Sequence, residues 1–200
     1  MLRRLVKLGV VGVLLVAVVG GGWIVVGGPL QGTAAAPLAV DATTAAEHGF
    51  TEPSVDTVQF RERLSVAGVS KEVDFAAYTM QTTNEETGAA VVTVSLPGWT
   101  VVGVSLNPVT YAPLKQAVNH VLPYLPMETP EVTWAGKTTV ELGGENVAAG
   151  EYAVAGESPR LLVARETVGG DTVFAVGVYS GESPESRASV ETLFAELDHE

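Results

Sequence analysis

The sequence predicts an α+β fold: a single antiparallel β-sheet packed by two helices, preceded by an N-terminal transmembrane helix. Three observations carry this expectation. Residues 8–27, LGVVGVLLVAVVGGGWIVVG, form an apolar run without a charge. From Asp56 onward the apolar residues recur with a period of two, as on a sheet with one buried face. Two later segments, 111–124 and 183–197, carry apolar side chains at helical spacing.

The run at 8–27 sets the placement of everything after it. Twenty residues as a helix span about 30 Å, roughly the hydrocarbon thickness of a bilayer. Arg3, Arg4 and Lys7 precede the run, and the next charged residue is Asp41. Trp23 stands near the far end, where an indole reaches the interface. The one-sided basic flank predicts a cytoplasmic segment at 1–7, an anchor in the bilayer at 8–27, a linker at 28–40, and an extracytoplasmic domain at 41–200. The rival is a cleaved signal peptide, with Ala34-Ala35-Ala36 supplying small residues for the cut and the Gly20–Gly22 break favouring it. Both readings place the remainder outside the cytoplasm, on a single-pass membrane protein or a released domain.

Of 11 basic residues three precede the anchor, whereas all 23 acidic residues follow it, so the outer domain carries 8 − 23 = −15. Such a surface repels nucleic acid and anionic lipid. Abundant acidic side chains with few lysines also match a protein dissolved at very high salt, where the repulsion is screened within a few ångströms. A halophilic archaeal source is the expectation. There is no cysteine, which excludes disulfides, thiolate metal sites and a cysteine nucleophile.

Taken in order, Asp41 to Gly49 reads as a short helix with Asp41 as its N-cap and Gly49 as its stop. Val58, Phe60, Leu64 and Val66 form one strand and Val73, Phe75, Ala77 and Thr79 the next, joined at Ala67-Gly68 with one face solvated. Asn84 to Gly88 is turn chemistry. Ala89–Leu96 is a β-branched central strand, and Trp99–Leu106 another, ended by Asn107-Pro108. Leu114, Ala117, Val118, Val121 and Leu122 stripe a helix that Pro113 opens and Pro123 stops. Val132–Trp134, Lys137–Leu142 and Asn146–Ala155 are short strands. Arg160–Val168 and Thr172–Tyr179 flank Gly169-Gly170-Asp171, the strongest hairpin signal in the chain. Ser183-Pro184-Glu185 opens a closing helix whose buried stripe is Val190, Leu193, Phe194 and Leu197.

Candidates for chemistry are few. His48, His120 and His199 are the only histidines, and His120 has no carboxylate three or four residues away with which to form a ligand pair. His199 is expected in a fraying tail. Glu85-Glu86 and Asp171 sit in turns without the spacing of a calcium loop, and turn chemistry explains them better. No nucleophile elbow and no phosphate loop occurs. Trp99, Trp134, Tyr111 and Phe174 read as core, and the segment from Trp99 to Tyr111 is the first candidate for a ligand site. No catalytic, cofactor-binding or metal-binding residue is assigned, and no cofactor is implied.

Several pieces carry a family resemblance. They are Pro37-Leu-Ala-Val-Asp-Ala42 with its small helix, the Val66-Ala-Gly68 turn, Val104-Ser-Leu-Asn-Pro-Val109, and Phe174-Ala-Val-Gly-Val-Tyr179. On these, residues 37–197 resemble the uncharacterised haloarchaeal proteins grouped as domain of unknown function 6517. Members of that group often carry a lipoprotein signal with a cysteine, which this chain lacks, so its anchor would be the helix itself. The element order is also similar to the Mog1/PsbP-like sandwich, at the level of fold alone. The resemblance implies no functional residue.

The expected role is a membrane-anchored, non-enzymatic binding or interaction module at the cell surface. Its partners would be the lipid bilayer through residues 8–27 and a protein or small molecule, with no nucleic acid. The alternatives are a carboxylate- or cation-dependent hydrolytic enzyme and an assembly factor of a membrane complex.

Overall fold

The computed structural model describes residues 30–33, 36–66, 69–98, 100–101, 104–105, 110, 113–122, 131–155 and 159–199. The chain divides into two compact units. One holds β1 (Leu30–Thr33) up to Gly32 and the stretch 59–75, which is the distal part of the hairpin of β3 (Ser54–Val66) and β4 (Val69–Asn84). The other holds Thr33–Val58 and Ala76–Glu200, and carries every side chain discussed below.

The larger unit is built on long antiparallel strands. These are β4 from Ala76, β5 (Ala89–Leu96), β8 (Val132–Leu142), β9 (Glu145–Val154), β10 (Pro159–Val168) and β11 (Asp171–Ser180), in the spatial order β4-β5-β11-β10-β9-β8. Two small two-stranded sheets are paired separately from the main sheet. One pairs β6 (Thr100–Val101) with β7 (Val104–Ser105), the other β2 (Leu38–Ala39) with β12 (Asp198–His199). Helices are short: α1 (Ala42–Glu47), α2 (Leu114–Val121) and α3 (Pro184–Ala195).

Local chemistry explains the turns and caps. Gly169 and Gly170 take φ of +60° and +98°, as a two-residue hairpin of type I′ needs at both central positions. The resulting register pairs Val168 with Asp171 and runs without slip to Pro159 opposite Ser180. The Asp41 Oδ1 accepts from the Thr43 and Thr44 backbone N–H at 2.8 and 3.1 Å, and Gly49 follows α1 at φ +77°. The Ser183 hydroxyl accepts from the Ser186 N–H at 3.2 Å and Pro184 opens α3.

Both faces of the central strands are buried, whereas edge strand β8 exposes one face. On one face of the sheet, Met80, Val91, Val140, Leu142, Ala149, Leu162, Ala164, Val173, Ala175 and Tyr179 pack with Val190, Leu193 and Phe194 of α3 and with Leu38, Ala45 and Phe50. Gly177 lets α3 lie close on β11, since a Cβ there would intrude on Val190 Cγ1. On the other, Val92, Val94, Leu161, Val163, Phe174, Val176 and Tyr152 are buried. There the Tyr152 hydroxyl donates to the Leu114 carbonyl of α2 at 3.1 Å, and α2 buries Val118.

Several expectations need correction. The fold is mostly β rather than the expected α+β arrangement of one sheet under two helices. The runs at 132–142 and 145–154 are long strands, and the helices cover only part of a sheet whose central strands are apolar on both sides. The two short runs 132–134 and 137–142 are one strand, bent by a bulge between Trp134 and Gly136. Of the strand expected at Trp99–Leu106, the described residues form only the β6–β7 ribbon. Pro113 is the cap of α2 rather than a residue of its first turn. The tail expected to fray is held: His199 pairs with Leu38. The anchor expected over residues 8–27 lies outside the described residues. Among those described, no helix is long and apolar enough to cross a membrane.

Candidate functional site

The register of the β10–β11 hairpin places Arg160 directly opposite Tyr179, with Ala153 of β9 on its other side. Directly paired residues project from the same face of a sheet, with Cβ atoms about 5 Å apart. At this end of the sheet the chain leaves β11 through Ser180, turns at Gly181-Glu182, and enters α3 at Pro184. Arg187, one turn into α3, comes over the same edge. Glu151, Arg160, Tyr179, Ser180, Gly181, Ser183, Pro184 and Arg187 together line a cleft of about 310 Å³.

Each polar group of the cleft has a distinct state. Arg187 is committed: its Nη1 donates to Glu151 Oε1 at 2.6 Å and its Nε to Glu191 Oε1 at 2.9 Å. The hydrogen bond to Glu191 raises its pKa further, and its guanidinium carbon stands 6.0 Å from the centre of the Tyr179 ring. The Ser183 hydroxyl is used as the N-cap and the Ser186 Oγ accepts from the Ser180 N–H at 3.1 Å. Arg160 is half-buried and its guanidinium has no acceptor among the described residues. Tyr179 is 3% exposed, and its buried hydroxyl has no hydrogen-bond partner among the described residues. Burial first, and then the Glu151 carboxylate, push its pKa up, with Arg187 and Arg160 opposing, so at neutral pH the phenol keeps its proton. A buried hydroxyl left unsatisfied costs about 1–3 kcal/mol. The cleft therefore holds one uncommitted guanidinium and one uncommitted O–H donor side by side.

A smaller recess, about 130 Å³, opens where β2 and β12 meet the sheet, lined by residues including Glu145, Glu166, Asp198 and His199. Burial and, after it, the neighbouring Glu145 raise the Glu166 pKa. Glu145 and Asp198 are exposed, and among the described residues no three acidic or histidine side chains are grouped to hold a metal ion. His199 Nε2 is buried without a hydrogen bond among the described residues and lies 3.9 Å from Asp171 Oδ2, beyond hydrogen-bond reach.

The candidates named from sequence fall elsewhere. Trp99 and Tyr111, which bound the first ligand-site candidate, lie outside the described residues. Phe174 is fully buried core, and Trp134 packs edge-on against Tyr152 with ring centres 5.2 Å apart. Glu85 and Glu86 belong to the turn that Asn84 organises, its Oδ1 accepting from the Glu86 and Thr87 N–H at 3.1 and 3.0 Å. Asp171 opens β11, and its Oδ1 accepts from the Gly98 N–H at 3.1 Å. His48 caps α1, its carbonyl accepting from Asn84 Nδ2 at 3.0 Å. The side chain of His120 lies outside the described residues. Sequence reasoning missed Arg160, Tyr179 and Arg187 as a set. The available signal was the glycine turn itself, because counting outward from Gly169-Gly170 puts Arg160 opposite Tyr179.

The model of the family described as Domain of unknown function (DUF6517) matches residues 37–198, and the chain belongs to that family. No curated protein matches it.

Proposed function

We propose that this chain is a non-enzymatic binding module that works outside the cytoplasm, tethered to a membrane through the apolar run at 8–27, with the Arg160–Tyr179–Arg187 cleft as its ligand mouth. The observation that carries the reading is the pairing, in one cleft, of a guanidinium without an acceptor and a buried hydroxyl without a partner among the described residues. Native interiors rarely leave a buried hydroxyl unpaired, and a bound ligand would satisfy it while pairing with the half-buried guanidinium. The tether rests on the hydropathy and one-sided basic flank of the sequence. Operation at high salt rests on the −15 charge of the outer domain, which salt screens.

A binding role suits the side chains better than catalysis. Among the described residues His199 Nε2 has no hydrogen-bond partner to activate, and the carboxylates of the smaller recess are mostly solvated. The test is crosslinking of the full chain in native membranes at multimolar salt, comparing wild type with Gly181→Trp, which fills the cleft from an exposed position. The reading expects crosslinked or co-purified species that disappear in the variant. Identical species in both would remove the cleft from the function.

A further inference from the structure

Resting on the reading of the cleft as a ligand site, we infer that it takes a small molecule through a single carboxylate, held by the Arg160 guanidinium and the Tyr179 hydroxyl. The charges decide the class of ligand. Arg187 is neutralised by Glu151 and Glu191, which leaves Arg160 as the one uncommitted cation among the described cleft residues. A single carboxylate matches a single guanidinium in charge and in planar, forked geometry. A phosphate would bring a second negative charge towards Glu151 and into the field of a domain carrying −15.

The remaining donors agree. The Tyr179 phenol keeps its proton, and Tyr179 sits directly across from Arg160 on the same face of the sheet, so a ligand drawn to the guanidinium lies beside the phenol, whose hydroxyl, closed off from solvent in this structure, is uncovered as the ligand seats. Arg160 is held by no ion pair among the described residues, so it turns onto a ligand without breaking an existing contact. The positive end of α3, a helix of 12 residues, borders the same space at Ser183 and Pro184. Exposed Pro184 gives the carboxylate's carbon frame an apolar wall, and a volume of about 310 Å³ suits a small organic acid rather than a peptide.

The test is calorimetric titration of the full chain in detergent with benzoate, acetate and inorganic phosphate at constant ionic strength. Expected is saturable binding of benzoate and acetate, with benzoate tighter and phosphate weaker than either. Arg160→Gln should lower benzoate affinity at least tenfold. Arg160→Lys, which keeps the charge and leaves the strand undisturbed, should lower it three- to tenfold, and Tyr179→Phe by a similar factor. Phosphate binding as tightly as benzoate, or benzoate binding unchanged in Arg160→Gln and Arg160→Lys, would overturn the carboxylate assignment. So would a failure of both carboxylates to bind. None of these would touch the cleft reading, which the Gly181→Trp comparison decides on its own.

Discussion

Gly177 offers a sharp test of how α3 is seated. It lies on β11 under the helix, and a Cβ built there would stand inside the envelope of Val190 Cγ1 and 3.3 Å from Val190 Cβ and Cγ2. Gly177→Ala therefore forces Val190 off its rotamer or lifts the helix. Overpacking of this kind in a filled core costs about 1–3 kcal/mol. For a domain of this size that lowers the melting temperature by roughly 3–10 °C. Val190→Ala alone removes two buried methyl groups, worth roughly 1.6 kcal/mol in transfer before any cavity term. In the double variant the new methyl at 177 fills the space that Val190 vacates. Urea unfolding of the four proteins should show the double variant more stable than the sum of the single effects by about 1 kcal/mol or more. Strict additivity, or a Gly177→Ala protein as stable as wild type, would refute the close approach of α3. Because α3 also delivers Arg187 and Pro184 to the cleft, Gly177→Ala should weaken ligand binding as well.

Three further outcomes follow from single residues. Gly170→Ala meets no atom within 4 Å of its new Cβ but must hold φ near +98°, so thermal unfolding should show a backbone cost of about 1–2 kcal/mol. The Glu166 carboxyl has its pKa raised above 4.5, by burial first and by Glu145 second, so the unfolded chain ionises first as pH rises and stability is lost between the unfolded and folded pKa values. Glu166→Gln should therefore be more stable than wild type at pH 7, equal to it below about pH 4, and less advantaged at multimolar salt; thermal melts across pH and salt read all three. The Asp41 carboxyl has its pKa lowered chiefly by its hydrogen bond with Thr44, so the stability it gives α1 is present above the ordinary aspartate pKa and is lost as pH falls through the folded value. Amide exchange of Thr43 and Thr44 should accelerate in Asp41→Ala at neutral pH and show no difference from wild type in strong acid.

The parts of this fold written in local chemistry were legible, and those written in distant pairings were not. Asp41, Gly169-Gly170 and Ser183-Pro184 each act within a few residues of themselves, so the α1 cap, the β10–β11 turn and the start of α3 follow from residue type. The family resemblance over residues 37–197 also stands, with the matched region at 37–198. The bulge at Trp134–Gly136 breaks the alternation that marks a strand, which made β8 look like two pieces. Most strands are legible from their period, but the burial of both faces of the central strands is not, and the two helical stripes carry more weight in the expected fold than their short helices carry in the structure. The β2–β12 pairing joins Leu38 to His199, and nothing local announces two-residue strands so far apart in sequence. The cleft has the same character: Glu151, Arg160, Tyr179 and Arg187 come from β9, β10, β11 and α3, and only the Arg160–Tyr179 part is implied by a single turn. Arg187 and Glu191, four apart on a helix, read in sequence as an ordinary surface pair.

The central claim is that the Tyr179 hydroxyl waits for a ligand, and its most direct test is the unfolding free energy of wild type against Tyr179→Phe, with and without benzoate. Without ligand, the account predicts the Phe variant to be more stable by about 1 kcal/mol, because an unsatisfied buried hydroxyl is gone and the ring remains. At a benzoate concentration one hundred times the wild-type dissociation constant, wild type should gain about 2.7 kcal/mol and the variant, binding three- to tenfold more weakly, about 1.4–2.1 kcal/mol, so the variant's advantage should shrink by about 0.6–1.3 kcal/mol. A Phe variant less stable than wild type in the absence of ligand would contradict the account, since the hydroxyl would then already have its partner within the fold.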